Sequence, residues 1–238
     1  MTRQPSIIDT ADDCTDQIVH LKADGVTTVI RYLTTNTASP KLVSPSEARI
    51  LAAAGIRLCL VFETGGGAPG QAPLTAAQGQ IDGTFAARYA PTVGAPAGAC
   101  IYFAADNDFS ATQIDNEVLP YFGSVYQAIK ASGFLVGAYG SGAVCTAVVG
   151  GGFADLSWLS GSTGWTGSKD YLAARPSALV LVQDVEDTKL ANMDVDTDYP
   201  LGDFGDFLPF QTAPVVASNV PTPTTKPNWF ERILAGLA

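Results

Sequence analysis

Asp106 and Asp108 carry the strongest chemical signal in the chain. They leave the apolar run Ala99-Cys100-Ile101-Tyr102-Phe103-Ala104 as Ala105-Asp106-Asn107-Asp108. Side chains in a strand alternate with period two, so the two acids point the same way if the strand continues through Asn107, and the small Ala104 leaves room beneath them. Two acids at the end of a buried strand are costly unless they are solvated, hydrogen-bonded or reactive. Crowding raises the pKa of one of them, as proton donation to a leaving oxygen requires. Glycoside hydrolysis is the reaction class that uses carboxylates in this way. The plainer role for Asp108 is to cap the amides of a helix opened by Ser110. Glu63, after Leu60-Val61-Phe62, is either a loop carboxylate or a further catalytic group. Asp9, after Ile7-Ile8, either joins these acids or forms an ion pair with Arg31.

Other chemistries lack their residues. The single histidine, His20, stands among Ile18, Val19 and Leu21, so histidine-based triads and His-rich zinc sites have one possible donor. Cys14, Cys59, Cys100 and Cys145 are widely spaced and read as buried free thiols. The glycine runs Gly65-Gly66-Gly67 and Gly150-Gly151-Gly152 match neither a dinucleotide fingerprint nor a phosphate-binding loop. No cofactor and no metal are therefore expected. With 23 acidic and 13 basic residues the net charge is −10, and no basic run exists, which argues against nucleic acid as a partner.

The acids need a frame. Short apolar, β-branched runs recur at Ser6–Asp9, Thr27–Tyr32, Ile56–Glu63, Ala99–Ala104, Phe134–Tyr139, Leu156–Leu159 and Ala178–Gln183, with an eighth near Met193–Asp196. Helical patterns lie between them. Ser44-Pro45-Ser46-Glu47 is a capping box and Gly55 a helix stop. Thr75 opens a helix to about Tyr89, and Ser110 opens one closed by Gly133. Runs apolar on both faces belong to buried parallel sheets, and strand–helix alternation signals repeated βα units. Polar residues recur where strands end, at Asp9, Arg31, Glu63, Asp106 and Gln183. That convergence favours a closed (β/α)8 TIM-like barrel over an open doubly wound sheet.

The order of motifs then resembles a known family. Ile7-Ile8-Asp9, Val29-Ile30-Arg31-Tyr32-Leu33 and Lys41-Leu42-Val43-Ser44-Pro45-Ser46-Glu47-Ala48 are followed by Ala53-Ala54-Gly55-Ile56 and Gly79-Gln80-Ile81-Asp82. Ile101-Tyr102-Phe103-Ala104-Ala105-Asp106, Val136-Gly137-Ala138-Tyr139-Gly140-Ser141-Gly142, Ser157-Trp158 and Val182-Gln183 continue the series. This resembles the glycoside-hydrolase-like proteins of domain of unknown function 1906, the Rv2525c-like group, distantly related to the family 25 muramidases. The resemblance implies a TIM-like barrel with its site at the strand C-termini and a link to bacterial cell-wall glycan. It implies that Asp9, Asp106, Asp108 and an eighth-strand acid, Asp194 or Asp196, line the mouth. Arg31, Tyr32, Tyr102, Tyr139, Trp158, Gln183 and Asp194 are the candidate substrate-binding residues. One departure stands out: the muramidases carry Asp-x-Glu where this chain has Asp106-Asn107-Asp108, one methylene shorter at the second acid.

The expected organisation is a barrel over residues 1–211, a Pro/Thr-rich linker over 212–227 and an amphipathic helix over 228–238, whose Trp229, Phe230, Ile233, Leu234 and Leu237 share one face. That helix is expected to pack on the barrel or on a protein partner, with a membrane-surface anchor as the alternative. Met1–Thr10 has no apolar signal region, and no apolar run reaches the ~20 residues of a membrane span. Synthesis in the cytoplasm, with release by lysis or a dedicated export route, is the matching expectation. Three functional readings follow: a cell-wall glycosidase of the phage-lysin or muramidase-like type, a non-catalytic carbohydrate-binding barrel, and a virion or secretion-system component docked by its terminal helix.

Overall fold

A computed structural model describes residues 6–63, 65, 73–190 and 192–211. The expected linker and terminal helix, and most of the Gly65–Gly67 run, lie outside the described residues. The chain folds as a mixed α/β protein around a closed barrel of eight strands in sequence order. The strands are β1 (Ile7–Thr10), β2 (Thr28–Leu33), β3 (Arg57–Phe62), β4 (Cys100–Ala105), β5 (Leu135–Gly140), β6 (Leu156–Leu159), β7 (Leu179–Leu190) and β8 (Met193–Pro200). Helices α1 (Ile18–Ala23), α2 (Pro45–Ala54), α3 (Ala76–Tyr89), α4 (Ala111–Gln113) with α5 (Leu119–Ile129), α6 (Gly142–Gly150) and α7 (Ser168–Ala174) fill the successive connections from β1 to β7.

The expectation of eight βα repeats is corrected at the end of the barrel. β1 to β7 run parallel, but β8 is antiparallel to both β7 and β1. Leu190 and Met193 pair directly, so a hairpin replaces the last crossover helix. β7 is also twice the expected length, because its second half leaves the barrel and its residues Asp184, Val185, Glu186 and Asp187 are exposed. A two-sided exposed strand has no apolar alternation to announce it.

Caps form where the sequence placed them. The Ser44 hydroxyl accepts from the Glu47 amide at 3.0 Å, and Gly55 closes α2 with a left-handed φ of 74°. Ser110 and Gln113 form a reciprocal capping box, which leaves Asp108 without the capping role.

The two faces of each strand have separate tasks. Ile8, Val29, Leu33, Leu58, Leu60, Phe62, Ile101 and Phe103 pack outward against the helices. Ile7, Ile30, Cys59, Val61, Cys100, Tyr102 and Trp158 fill the interior. Gly137 is required there: a Cβ on it would lie 2.3 Å from Cδ1 of the Tyr102 ring. Residues after β8 close the floor. The Phe204 carbonyl accepts from the Tyr102 hydroxyl at 3.0 Å, and Phe207 forms an antiparallel bridge to Leu58. All four cysteines are free and buried.

Candidate functional site

The inward positions at the open end of the barrel make one small pocket of about 90 Å³. Asp9, Tyr32, Val61, Glu63, Ala104, Asp106, Tyr139, Trp158, Gln183 and Asp196 line it. Four of them continue the inward alternation at or just past a strand end: Asp9 follows Ile7, Tyr32 follows Ile30, Glu63 follows Val61, and Asp106 follows Ala104.

Asp9 is the most enclosed of the acids. Its Oδ1 accepts from the Tyr32 hydroxyl at 3.0 Å and its Oδ2 from Gln183 Nε2 at 3.2 Å. Gln183 Nε2 also donates to Asp196 Oδ2 at 2.9 Å, while Gln183 Oε1 accepts from the Tyr139 hydroxyl at 2.9 Å and the Gly161 amide at 3.1 Å. The Gln183 amide is thus fixed in orientation by donors and acceptors on every side. Burial, and then the Asp196 charge, push the Asp9 carboxyl up to about 7 despite these hydrogen bonds. Asp196 is raised by burial as well, against an amide donor from Asp187 at 2.7 Å. Asp187 holds a left-handed φ of 54° beside the bulge in β7, a conformation aspartate tolerates better than most residues.

Asp106 is half-buried. Burial raises its carboxyl to about 6, helped by the neighbouring Glu63 and Glu186 carboxylates and opposed by Lys41. Glu63 is ion-paired to Lys41, with Nζ 2.5 Å from Oε2, and the same ammonium lies 4.1 Å from the centroid of the Tyr32 ring. Tyr139 and Trp158 meet edge to face at 4.6 Å and form an aromatic wall.

Four candidates fall outside the pocket. Asp108 is exposed and accepts from the Thr166 amide at 2.8 Å, because β4 ends at Ala105 and its alternation does not survive Asn107. Arg31 is outward-facing and fully buried. Its partner is Glu47, at 2.7 and 3.1 Å, not Asp9, and it donates to the Thr10 carbonyl at 2.8 Å. Tyr102 sits deep in the barrel, bonded to the floor. Asp194 is exposed on the hairpin arm and ion-paired with Lys189; Asp196 takes the eighth-strand place instead. No group of His, Cys, Asp and Glu among the described residues could hold a metal ion, and no described helix is long and apolar enough to cross a membrane.

An acid-lined mouth on an eight-strand barrel is shared by many proteins, but the sequence match is specific. Residues 19–198 match the Rv2525c-like, glycoside hydrolase-like domain. The chain belongs to this family. Within it and around it, the Rv2525c-like chain is 31% identical over 162 residues to FadG of Bacillus subtilis (strain 168), covering 66% of this chain and 28% of FadG. It therefore spans little more than a quarter of that relative's length. Its fold is similar to that of the Tat-secreted protein Rv2525c of Mycobacterium tuberculosis, with TM-score 0.70 and 23% identity over 85% of this chain and 98% of that one. The modular autolysin LytC of Streptococcus pneumoniae shares the fold at TM-score 0.54 and 13% identity, over 82% of this chain and 46% of that one.

Sequence reasoning passed over three residues of this Rv2525c-like mouth. Lys41 stood in the matching motif but had no assigned partner. Glu186 was hidden in the exposed half of β7. Asp198 is buried beneath Asp196, and the alternation Asp194, Asp196, Asp198 was the signal that pointed to it.

Proposed function

We propose that the chain is a glycoside hydrolase acting on bacterial cell-wall glycan, with Asp106 as the general acid. The observation that carries this reading is a half-buried carboxyl raised to about 6 in the same pocket as Glu63, which is ion-paired to Lys41. Unequal environments give two carboxyls opposite roles. Asp106 would pass its proton to the leaving glycosidic oxygen as the C–O bond breaks, and water would complete the sugar's anomeric carbon. Glu63 would stabilise the positive charge that develops there. Tyr32, Tyr139 and Trp158 offer ring faces and edges suited to a sugar, while Asp9 and Gln183 hold the floor rigid. The pocket is small beside the ~300 Å³ and more of drug-sized sites, so one sugar unit would enter and the polymer would lie across the rim. Kinship with a Tat-secreted protein and structural likeness to an autolysin support a place at the cell wall.

A second reading has its own observation in favour. Asp108 is turned away to the Thr166 amide, so the second acid of the muramidase pattern does not enter the pocket, as a barrel that binds glycan without cutting it would permit. Digestion of purified peptidoglycan, with products analysed by mass spectrometry, decides between the two. New reducing ends, lost in Asp106→Asn, support the hydrolase. Retention of glycan with no fragments from wild type supports the binding barrel.

A further inference from the structure

Asp198 is a buried carboxyl with no conventional partner. It pairs with Ile7 of β1 and Gln183 of β7 in the sheet, one inward position deeper than Asp196, which pairs with Asp9. Neither of its oxygens has a well-formed hydrogen bond, and neither does the nearby buried Nε1 of Trp158. Burial raises its pKa most. The groups that act on it are Asp9 on β1 and Asp196 on β8, which raise it further, and Trp158 on β6, whose indole N–H opposes them by favouring the charged form. Cys59 of β3, a buried thiol in the interior, feels its charge as well. No cation faces it among these groups. An unpaired carboxylate in such a place costs several kcal/mol, and a buried acid avoids that by keeping its proton. A neutral carboxylic acid then has one O–H to place, and the acceptor beside it is Asp9.

We propose that Asp198 is a positioning residue that permanently holds a proton and donates it toward Asp9, so that Asp9 is the member of the pair that ionises and faces the pocket. Burial and the Asp9 charge hold the Asp198 carboxyl well above the usual carboxylate range, in keeping with this geometry. The pair then contains at least one proton throughout the range in which the mouth works. Its titration belongs to the two residues jointly, with Asp198 supplying the donor that moderates the rise in Asp9. The inference rests on the mouth carboxylates being the working groups, but its test does not use activity.

NMR of protein labelled at the aspartate carboxyl carbons reads the protonation of each residue, with assignment from single Asp→Asn variants. In wild type, Asp198 should stay protonated at neutral pH while Asp9 titrates. Asp198→Leu removes the donor and should raise the apparent pKa of Asp9 by about one unit, tenfold in its ionisation constant. Asp198→Asn keeps an N–H donor and should hold Asp9 near its wild-type value. A purely structural role would change the melting temperature of both variants and leave Asp9 unmoved in both. An ionised Asp198 at neutral pH, or an Asp9 unmoved in the leucine variant, overturns the proposal. If the leucine variant fails to fold, the Asp198 signal in wild type decides alone. Absence of glycan cleavage would sink the hydrolase reading and leave this titration result standing.

Discussion

Asp9 and Asp196 are register partners across the seam where β1 meets β8, and one amide, Gln183 Nε2, donates to both, at 3.2 and 2.9 Å. Two like charges so close repel, and the shared donor is what makes the arrangement tolerable.

Gln183→Leu should therefore do more than delete one side chain. It leaves both carboxyls and the Tyr139 hydroxyl short of a partner, each at about 1–3 kcal/mol for an unsatisfied buried group. Calorimetry should show a clear fall in melting temperature at neutral pH. The loss should be smaller in an Asp9→Asn background, because the repulsion the amide offsets is gone. Equal losses in the two backgrounds would contradict the shared-donor account.

Asp106→Asn should lower wall-glycan cleavage by about a hundredfold or more, the scale of losing a general acid, with the melting temperature unchanged or higher. Asp108→Asn should change folding stability by no more than about 0.5 kcal/mol, as for other surface positions, and leave most of the activity in place. The paired measurements separate the acid in the pocket from the one beside Thr166. Comparable activity losses from both substitutions would restore Asp108 to the chemistry.

Stability should fall as pH rises from mildly acidic to neutral. The folded values of Asp9, about 7, and Asp106, about 6, lie above the ordinary 3.8. Between the unfolded and folded values the native state binds more protons than the unfolded chain. The stabilisation is complete below about 4 and is lost as pH passes through about 6 and then about 7. Thermal unfolding across that window should show a declining midpoint, flattened in Asp9→Asn. A midpoint that rises through the window would refute the assignment.

Much of this was legible beforehand. Seven strands, their order and the helix caps at Ser44, Thr75 and Ser110 follow from apolar runs and side-chain-to-amide bonds, which are local. Asp9, Glu63, Asp106 and Gln183 stand where apolar runs end, Tyr32, Tyr139 and Trp158 stand in the motifs of the family resemblance, and the pocket gathers all of them. The failures share a cause: direction and face are tertiary facts. Treating β8 as parallel left the choice between Asp194 and Asp196 open, whereas an antiparallel strand carries its later residues deeper and makes Asp198 the buried one. Arg31 was misplaced because a strand-end arginine reads the same whether it faces the lumen or a helix, and only Glu47 on α2 settles which.

The Arg31–Glu47 pair should prove structural. Both side chains are essentially inaccessible, at 0% and 1%, and Glu47 also accepts from the Cys14 amide at 3.0 Å. Glu47→Ala should destabilise the fold by about 3–5 kcal/mol, since it strands a buried guanidinium. At a temperature where the variant is still folded, glycan binding should match wild type. Loss of binding by folded protein would return Arg31 to the site.

The seam between β1 and β8 has a consequence for how the molecule is made. The Thr10 hydroxyl donates to the Asp194 carbonyl, a contact spanning 184 residues. Asp9 and Asp196 thus come from opposite ends of the barrel's sequence, and contacts this non-local form only after a large loop-closure entropy has been met. On a ribosome the first seven strands emerge with an open edge and a pocket that lacks Asp196. The Asp9–Asp196 pair is assembled only when the final hairpin has cleared the exit tunnel and zipped the first strand to the last, so a chain that stops short of β8 lacks the closed mouth.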